Sequence, residues 1–391
     1  MKVANNRQMM TIFLVVFIDL LGFGIILPLL PYIAEKYAAT PLMIGLLSGA
    51  YSLFQFIAGP ILGRLSDRYG RKKLLIISQL GSMAGYVLLA LAGSLPLLFI
   101  SRIIDGITGG NISIAQAYMA DVTTKETRAK GMGLLGAAFG IGFMFGPAIG
   151  GYLSKYGFAA PALFAAGISA LSTVATTLFL TETVNVKKAK ESPRTAMTFT
   201  ELKRVLKTPP ISTLLIIFFL LSLGFSGMQG TYALFVQAKF GWGPTQVGYI
   251  FALIGIVAII TQIRVLSFAT SNFGEYKTLV WSVLILAMGF GLIGATSYLP
   301  LFIIGNALIP LGNSLANPTL TAIATESIPP AEYGETLGLL QSSGSLGRIF
   351  GPVAAGAIYS FGGHNSPMIV SAMIFVAISV LVIPQLKKSH T

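Results

Sequence analysis

The chain has 391 residues, of which 54% are hydrophobic and 10% are charged, against a charged share of about 25% in soluble domains. So few charges cannot cover the surface of a soluble protein of this length, and the absence of cysteine excludes a disulfide-linked scaffold. An apolar chain without a Gly-X-Y period is also neither disordered nor collagen-like. The composition therefore predicts a polytopic membrane protein.

A membrane-spanning helix needs roughly 20 consecutive apolar residues. Twelve stretches of the chain meet this requirement, and we expect each of them to form an α-helical span. The first stretch follows no small-residue cleavage site, so we expect an uncleaved first span and not a signal peptide. In chain order the stretches are residues 9–31, 42–63, 74–93, 95–118, 131–152, 160–181, 211–235, 244–267, 278–296, 300–321, 337–358 and 366–384.

The basic residues are unevenly distributed between the two sides of the predicted bundle. The net charge is +13, and 21 of the 26 Lys and Arg residues fall on the side that carries the N-terminus. Only Lys36, Lys155 and Lys239 lie in the loops of the other side. Because basic loops remain in the cytoplasm, this distribution predicts that both termini are cytoplasmic, and it explains the net charge without nucleic acid. The side predicted to be cytoplasmic is called the inner side below.

The longest polar interval, residues 182–208, divides the predicted spans into two groups of six. It predicts an N-terminal half at residues 1–181 and a C-terminal half at residues 209–391. Apolar residues between Thr198 and Lys207 would share one helical face, which is typical of a short helix at the membrane surface. A plain solvated linker is the alternative.

The two groups of spans repeat each other in sequence. The string GFMFGPAIGG at residues 142–151 matches GRIFGPVAAG at residues 347–356, at an offset of 205. The Pro-x-x-x-Gly pattern that begins at Pro41 recurs at Pro244, at an offset of 203. Matches at nearly constant offset predict an all-α membrane protein of two pseudo-symmetric six-helix halves. Parallel halves of this kind are related by an axis along the membrane normal, and the binding site lies between them.

The loop after the second predicted span reads GRLSDRYGRKK and contains an acid among five basic residues. A topology signal alone would not need the acid, and the glycines allow backbone conformations that a Cβ atom would oppose. The string resembles the signature loop of the major facilitator superfamily, a family of transporters with twelve spans. The resemblance implies an inner gate that locks the two halves in the outward-open state. Its residues would be Gly63, Asp67, Arg68, Gly70, Arg71, Asp121 and Arg128.

The resemblance also implies two contacts of this gate. Asp67 would cap the inner end of span eleven, and Arg71 would pair with the acid that ends span four. The loop between spans ten and eleven carries Glu326, Glu332 and Glu335, and we expect the basic loop to meet this acidic loop. Screened surface pairs contribute only about 0–1 kcal/mol each, so several of them would form a reversible latch.

The fifth predicted span contains small residues and a proline at regular spacing. Small residues let helices approach closely, and the proline bends its helix. Ordinary tight packing would explain a single pair of small residues, but the complete string resembles the antiporter motif of drug:proton exporters. The motif residues are Gly142, Gly146, Pro147, Gly150 and Gly151.

The first span points to the same group. It reads DLLGFGIILP from Asp19 to Pro28, which is similar to the opening of tetracycline-type exporters. Those exporters carry an acid just before a tyrosine in span three, where this chain has Gly85 before Tyr86, and another acid in span nine, where residues 278–296 carry no charge. The resemblance covers essentially the whole chain and implies a drug:proton antiporter, but tetracycline with its metal ion is not the expected substrate.

Charged residues inside the predicted spans are costly to bury and usually mark function. Asp19 and Asp105 would lie at similar depth, each roughly 15 Å from one membrane face at 1.5 Å per residue. Arg102 is one helical turn from Asp105 and, together with Gly106, fits the R-x-x-x-G pattern that the family links to proton transfer. We expect Asp19 to be the main proton-carrying carboxyl and Asp105 the second candidate. Movement of Arg102 would change their affinity for the proton, and a static pair that neutralises buried charge is the alternative.

In the major facilitator fold, spans one, four, seven and ten line the central cavity. A few polar groups among aromatic residues are typical of a site for amphipathic ligands, although any single one is more often a contact between helices. Arg348 in span eleven would either attract an anionic substrate group or have a structural role. The candidate cavity residues are Phe23, Asn111, Gln116, Phe225, Gln229, Tyr232, Asn306, Asn313, Asn317 and Arg348.

These patterns favour a proton-coupled secondary transporter, an antiporter that exports lipophilic or amphipathic small molecules by alternating access. A related carrier for a lipid, sugar or other metabolite is the alternative. An enzyme is not expected, because no G-x-x-x-x-G-K-[ST] string occurs and both histidines lie outside the spans. We expect the proton gradient as the driving force without cofactor or metal, and a functional monomer. Its partners would be the small-molecule substrate, protons and the lipid bilayer of a bacterial inner membrane.

Overall fold

The computed structural model describes residues 6–124, 127–184, 211–326 and 333–388. These residues are almost entirely helical, and none of them forms a strand. Ten of their helices are long and apolar enough to cross a membrane, and Ser366–Val382 is a shorter apolar helix. A helix underlies each of the twelve predicted spans, so the all-α membrane fold is confirmed.

The helices are named below by the span that they form. A 3-10 turn, Ser154–Tyr156, follows span five, and a π-helical turn, Thr261–Val265, joins the two pieces of span eight. The spans are Asn6–Ile26 (one), Pro41–Tyr69 (two), Arg71–Ala90 (three), Leu95–Thr108 with Asn111–Val122 (four), Arg128–Leu153 (five), Ala159–Phe179 (six), Ile211–Phe240 (seven), Pro244–Ile260 with Leu266–Phe273 (eight), Glu275–Ala295 (nine), Leu299–Glu326 (ten), Tyr333–Gly362 (eleven) and Ser366–Lys388 (twelve).

Span one is shorter than its apolar stretch. It ends at Ile26, and Leu30–Glu35 forms a separate short helix. Pro28 and Pro31 lack a backbone N–H and crowd the preceding turn, so two prolines three residues apart favour the end of the first helix. Pro31 lies in the first turn of the short helix, where a proline is tolerated.

Span four is one apolar stretch but two helices, Leu95–Thr108 and Asn111–Val122. Gly109 and Gly110 separate them, as expected from the low helix propensity of glycine. The interruption leaves backbone groups without helical partners, and a neighbouring span supplies one: Gln55 Nε2 donates to the Gly109 carbonyl oxygen at 3.0 Å. Span four is therefore a helix with a supported break and not a rigid rod.

The chain packs into two compact units, which are described separately. Unit one includes the beginning of span eight, and unit two includes the beginning of span two. Unit one comprises Met1–Ala39, Ala50–Arg194 and Gly243–Ala252, and unit two comprises Thr40–Gly49, Thr195–Trp242 and Leu253–Thr391.

The division of the chain at residues 182–208 concerns a part that the structure does not describe. Residues 185–210 lie outside the described residues, and so does the surface helix expected between Thr198 and Lys207. The halves at residues 1–181 and 209–391 stay predictions.

The apolar core of unit one lies where spans one, three, four and five meet. Ile12, Leu75, Tyr118 and Ala138, one from each of these spans, are completely buried in it. The Tyr118 hydroxyl donates to the Thr181 carbonyl oxygen at 3.0 Å. This core therefore also holds the residues that follow span six.

The sequence repeat recurs in the packing of each unit. In unit one, a Cβ atom added to Gly248 would lie 2.7 Å from the Pro147 carbonyl oxygen, and one added to Gly151 would lie 2.7 Å from that of Pro244. In unit two the corresponding contacts join Gly45 to Pro352 and Gly356 to Pro41. The matched strings thus form matched close contacts, in which only glycine lets the two backbones approach.

Candidate functional site

Asp19 lies in the interior of span one with a carboxyl oxygen that is shielded from solvent. This oxygen, Oδ2, has no hydrogen-bond partner among the residues that the structure describes. The carboxyl group accepts a hydrogen bond from the Asn111 side chain at the start of the second piece of span four. Buried polar atoms without a partner are rare in proteins, and each of them requires an explanation.

The second buried carboxyl belongs to an ion pair within span four. Arg102 Nη1 lies 3.2 Å from Asp105 Oδ2, and both residues are 2% exposed. Ser82 of span three hydrogen-bonds the same carboxyl group, and the Arg102 guanidinium lies 5.9 Å from the centre of the Tyr86 ring. Arg102 Nη2 has no partner in the described part of the chain. The pair is therefore neutral overall but leaves one buried donor unused.

Two glycines bring spans one, three and four together around these charges. A Cβ atom added to Gly85 would lie 3.0 Å from Asp105 Cβ, and one added to Gly22 would lie 3.0 Å from the Tyr86 hydroxyl oxygen. Tyr86 is 4% exposed and thus lies between span one and the ion pair. Sequence reasoning missed Tyr86 and Ser82 as members of the site, although Ser78, Ser82 and Tyr86 recur every four residues and therefore share one face of span three.

This arrangement places one carboxyl beside an amide and the other beside a guanidinium, in surroundings of low dielectric. An unpaired carboxylate is costly there, and a nearby cation reduces that cost. A shift of Arg102 between the two acids would therefore change which of them holds a proton. Both buried acids, the amide and the guanidinium belong to unit one.

The antiporter motif packs directly against span one. A Cβ atom added to Gly142 would lie 2.8 Å from Leu20 Cβ, and one added to Gly146 would lie 2.8 Å from Gly24 Cα. Gly150 meets the Ile25 carbonyl oxygen in the same way. These contacts hold the backbone of span one within two turns of Asp19, so the motif fixes the helix that carries the acid.

The signature loop forms a charge cluster around Arg71, whose side chain is 5% exposed. Arg71 Nη2 lies 2.5 Å from Asp67 Oδ1, and Arg71 Nε lies 3.2 Å from Asp121 Oδ2 at the end of span four. Arg71 Nη1 donates to Ser66 Oγ at 2.6 Å. Gly70 has a φ of +105°, which favours glycine at this turn between spans two and three. The structure thus brings Asp67, Arg71 and Asp121 together.

Of the other residues of the expected gate, Gly63 joins this cluster through its carbonyl oxygen, which accepts hydrogen bonds from Ser66 Oγ at 2.6 Å and from Arg71 Nη1 at 3.5 Å. Arg68 and Arg128 lie outside the cluster. Arg68 is exposed, with its guanidinium 5.5 Å from the Tyr69 ring, and Arg128 is exposed and donates to the Ala120 carbonyl oxygen at 3.4 Å. A Cβ atom added to Gly63 would meet nothing within 4 Å. Of the acidic loop, Glu326 contacts Glu275, while Glu332 lies outside the described residues.

The candidate cavity residues fall into two sets, one in each unit. In unit one, Phe23 packs against Tyr51 at 5.0 Å between ring centres, and Gln116 is exposed. In unit two, Tyr232 and Asn306 are buried and hydrogen-bonded to each other at 2.6 Å, which favours a packing role for both. The remaining members in unit two are Phe225 and Gln229, which are half-buried, Asn313 and Asn317, which are hydrogen-bonded to each other at 2.9 Å, and Arg348, which is exposed and donates to Ser345 Oγ at 2.8 Å.

Comparisons with known proteins agree with this architecture. A family model described as Major Facilitator Superfamily matches residues 12–269 and 233–390. Tetracycline resistance protein, class E, of Escherichia coli is 31% identical over 362 residues, which are 91% of this chain and 88% of that protein. Multidrug resistance protein 2 of Bacillus subtilis strain 168 is 28% identical over 399 residues, covering 100% of this chain and 98% of that protein. The crystal structure of the human organic anion transporter MFSD10 (TETRAN) is similar at a TM-score of 0.73 and 27% identity, covering 96% of this chain and 99% of that chain.

Proposed function

The chain belongs to the major facilitator superfamily, and from this we propose that it is a proton-coupled exporter of lipophilic or amphipathic small molecules. It exchanges protons for its substrate by alternating access and needs no cofactor. The proposal includes a monomer in a bacterial inner membrane. The distribution of the basic residues supports a cytoplasmic position for both termini.

The observation that carries this proposal is the Asp19 carboxyl group. Its Oδ2 atom is buried and lacks a partner among the described residues, and the group is held by Asn111 without a cation of its own. Because burial penalises the charged form, such a carboxyl readily takes up a proton and must regain water or a counter-ion to release it. Alternating access supplies these two conditions in turn, so Asp19 is the proposed carrier of the proton.

The Arg102–Asp105 pair is the proposed control element. Its 3.2 Å contact compensates the buried charge of Asp105 while Asp19 is protonated. After Asp19 loses its proton, the guanidinium is the nearby cation that can compensate the new charge. The unused Nη2 donor of Arg102 supports this second role.

The substrate class is proposed from the full-length similarity to multidrug and tetracycline resistance proteins. Tetracycline with its metal ion is not the proposed substrate, because this chain has Gly85 where tetracycline exporters carry an acid and because the apolar stretch of span nine has no charge. Mixed aromatic and amide side chains such as Phe23, Gln116 and Gln229 suit ligands that vary in shape and are partly apolar.

The test uses purified protein in liposomes under an imposed pH gradient. Efflux of a fluorescent lipophilic cation is measured for the wild type, for Asp19→Asn and for Glu35→Gln, a matched change of a carboxyl in the short helix after span one. We expect gradient-driven transport by the wild type and Glu35→Gln, and its loss in Asp19→Asn. Transport that ignores the gradient would mean a facilitator, and coupled transport by Asp19→Asn would move the proton site to Asp105.

A second candidate is the export of organic anions. The human organic anion transporter resembles this chain at 27% identity over almost the full length, and Arg348 presents an exposed guanidinium in span eleven. A fluorescent organic anion in the same liposomes tests this candidate, with Arg348→Gln as the variant. A carrier for a lipid, sugar or other metabolite is the remaining alternative, and failure of both probes would favour it.

A further inference from the structure

The residues that follow span six are held tightly against the signature loop. Glu182 Oε1 accepts a hydrogen bond from the Arg71 backbone N–H at 2.8 Å, and Oε2 accepts one from the Lys72 N–H at 3.2 Å. The same Oε1 atom accepts the N–H groups of Thr183 and Val184 at 3.0 and 3.1 Å. One carboxylate thus receives four backbone donors.

Two further contacts connect this segment with other spans. The Thr183 hydroxyl donates to Asp121 Oδ2 at 3.0 Å, the oxygen that also receives Arg71 Nε. The Gln8 side chain in span one donates to the Thr181 hydroxyl. Residues 181–184, called the strap below, therefore touch spans one, three and four at their inner ends.

The charge at the start of span three explains why an acid is needed there. The span begins with Arg71, Lys72 and Lys73, and its first residue follows Gly70 without a capping side chain from that residue. The N-terminal end of a helix carries a partial positive charge, which cations in the first turn do not compensate. Glu182 supplies the missing negative charge from another part of the chain and binds two of the free N–H groups.

The fit between the strap and the loop leaves no room at the turn. A Cβ atom added to Gly70 would collide with Glu182 Oε2, and the φ of Gly70 is +105°. The corresponding turn in unit two also has a positive φ, +76° at Gly274, but the helix there begins with an acid of its own, Glu275. Only the turn that carries the Arg71 cluster combines three cations with an acid supplied from outside its helix, among the turns that the structure describes.

We propose that Glu182 is a positioning residue of the inner gate. By holding the backbone of Arg71 it fixes the direction from which the guanidinium reaches Asp67 and Asp121, and it connects the strap to that cluster. This inference rests on the proposed alternating-access function. The experiment that tests it measures the accessibility of the protein interior, which can be done without transport.

The experiment uses the natural absence of cysteine. A single cysteine at Ser113, on the exposed face of span four that also carries Gln116, reports access to the interior. A second single cysteine at Ser271, exposed in the last turn of span eight, serves as the reference. Each is combined with Glu182→Gln and, as a matched control, with Glu35→Gln, and labelling by a membrane-impermeant maleimide is timed in substrate-free inside-out liposomes.

We expect Glu182→Gln to change the labelling rate at Ser113→Cys relative to the reference by about tenfold, the factor expected from losing one charge-assisted hydrogen bond. Glu35→Gln should leave the ratio unchanged. In transport assays, Glu182→Gln should lower kcat with little change in KM, and Glu182→Asp should restore part of it. Unfolding midpoints are measured in parallel.

Two results would overturn the proposal. If Glu182→Gln lowers the unfolding midpoint but leaves the labelling ratio and the kcat of the folded fraction unchanged, Glu182 only stabilises the helix. If it changes nothing, the hydrogen bonds have no functional effect. Failure of the wild type to use a pH gradient would instead disprove the proposed proton coupling and leave the labelling result valid.

Discussion

Gly248 contacts Pro147 so closely that a Cβ atom on Gly248 would lie 2.7 Å from the Pro147 carbonyl oxygen. The proline belongs to the antiporter motif, and the glycine lies in the first turns of span eight, within the same unit. Real Cβ atoms do not approach a backbone oxygen so closely, so a side chain at position 248 forces one of the two backbones to move. The motif therefore requires glycine on the partner helix as well as in its own string.

We predict that Gly248→Ala lowers both the thermal unfolding midpoint and the transport rate. Although alanine is favoured over glycine within a helix by about 1 kcal/mol, the collision with a carbonyl oxygen outweighs this gain. Gly167→Ala is the matched control, since it is also helical and a Cβ atom there would meet nothing within 4 Å. The control should be neutral or slightly stabilising, and equal effects of the two substitutions would contradict the packing argument.

Asp105 and Asp19 should differ in what they contribute to stability. Asp105→Asn leaves the Arg102 guanidinium buried beside a neutral group, and loss of one partner of a buried pair destabilises a protein by about 3–5 kcal/mol. Asp19 pairs with no cation among the described residues, so Asp19→Asn should change the free energy of unfolding by less than about 1 kcal/mol. Denaturation in mixed micelles measures both values. Equal losses would show that Asp19 belongs to the ion pair.

The Tyr232–Asn306 hydrogen bond distinguishes packing from substrate contact in unit two. Tyr232→Phe removes a 2.6 Å bond between two buried side chains. Hydrogen bonds between membrane-spanning helices contribute about 0.6 kcal/mol on average, so we expect a loss of stability of that size. The KM for the exported compound should stay unchanged. A raised KM with unchanged stability would assign the tyrosine to the substrate site.

Substitutions in the Arg71 cluster should be more harmful to stability and transport the more deeply the replaced side chain is buried. Asp67 is 36% exposed in its side chain, so Asp67→Asn should change stability by no more than about 1 kcal/mol while lowering the transport rate. Arg71→Lys should lower the transport rate and the stability further. The guanidinium contacts Asp67, Asp121 and Ser66 with three different nitrogen atoms, and a single ammonium group cannot replace all three. Substrate binding, measured by fluorescence, should persist in both variants. Normal turnover by Asp67→Asn would contradict the gate.

Much of the fold can be predicted from sequence patterns that do not depend on which face of a helix packs against its neighbours. Apolar length predicts the spans, and the repeat between residues 142–151 and 347–356 predicts the matched contacts seen in each unit. The Arg71 cluster follows from the resemblance of the loop, since its residues lie within a short string and at the end of span four.

The composition of the buried site was less predictable. Span three carries Ser78, Ser82 and Tyr86 four residues apart on one face, but the sequence does not indicate which neighbouring helix that face meets. Glu182 was likewise no more than the first residue of a polar interval, because its partners are backbone N–H groups that every residue possesses. The close approach of Gly85 to Asp105 was equally invisible in the sequence, because the two residues lie on different helices.

The break in span four divides the proposed proton-coupling residues between two helical pieces. Arg102 and Asp105 belong to the first piece, and Asn111 belongs to the second. A bend at Gly109 and Gly110 would withdraw the amide from Asp19 while the ion pair keeps its internal geometry. Span four can therefore act as a hinge. A small change of angle at its two glycines would alter the solvation of Asp19 on span one.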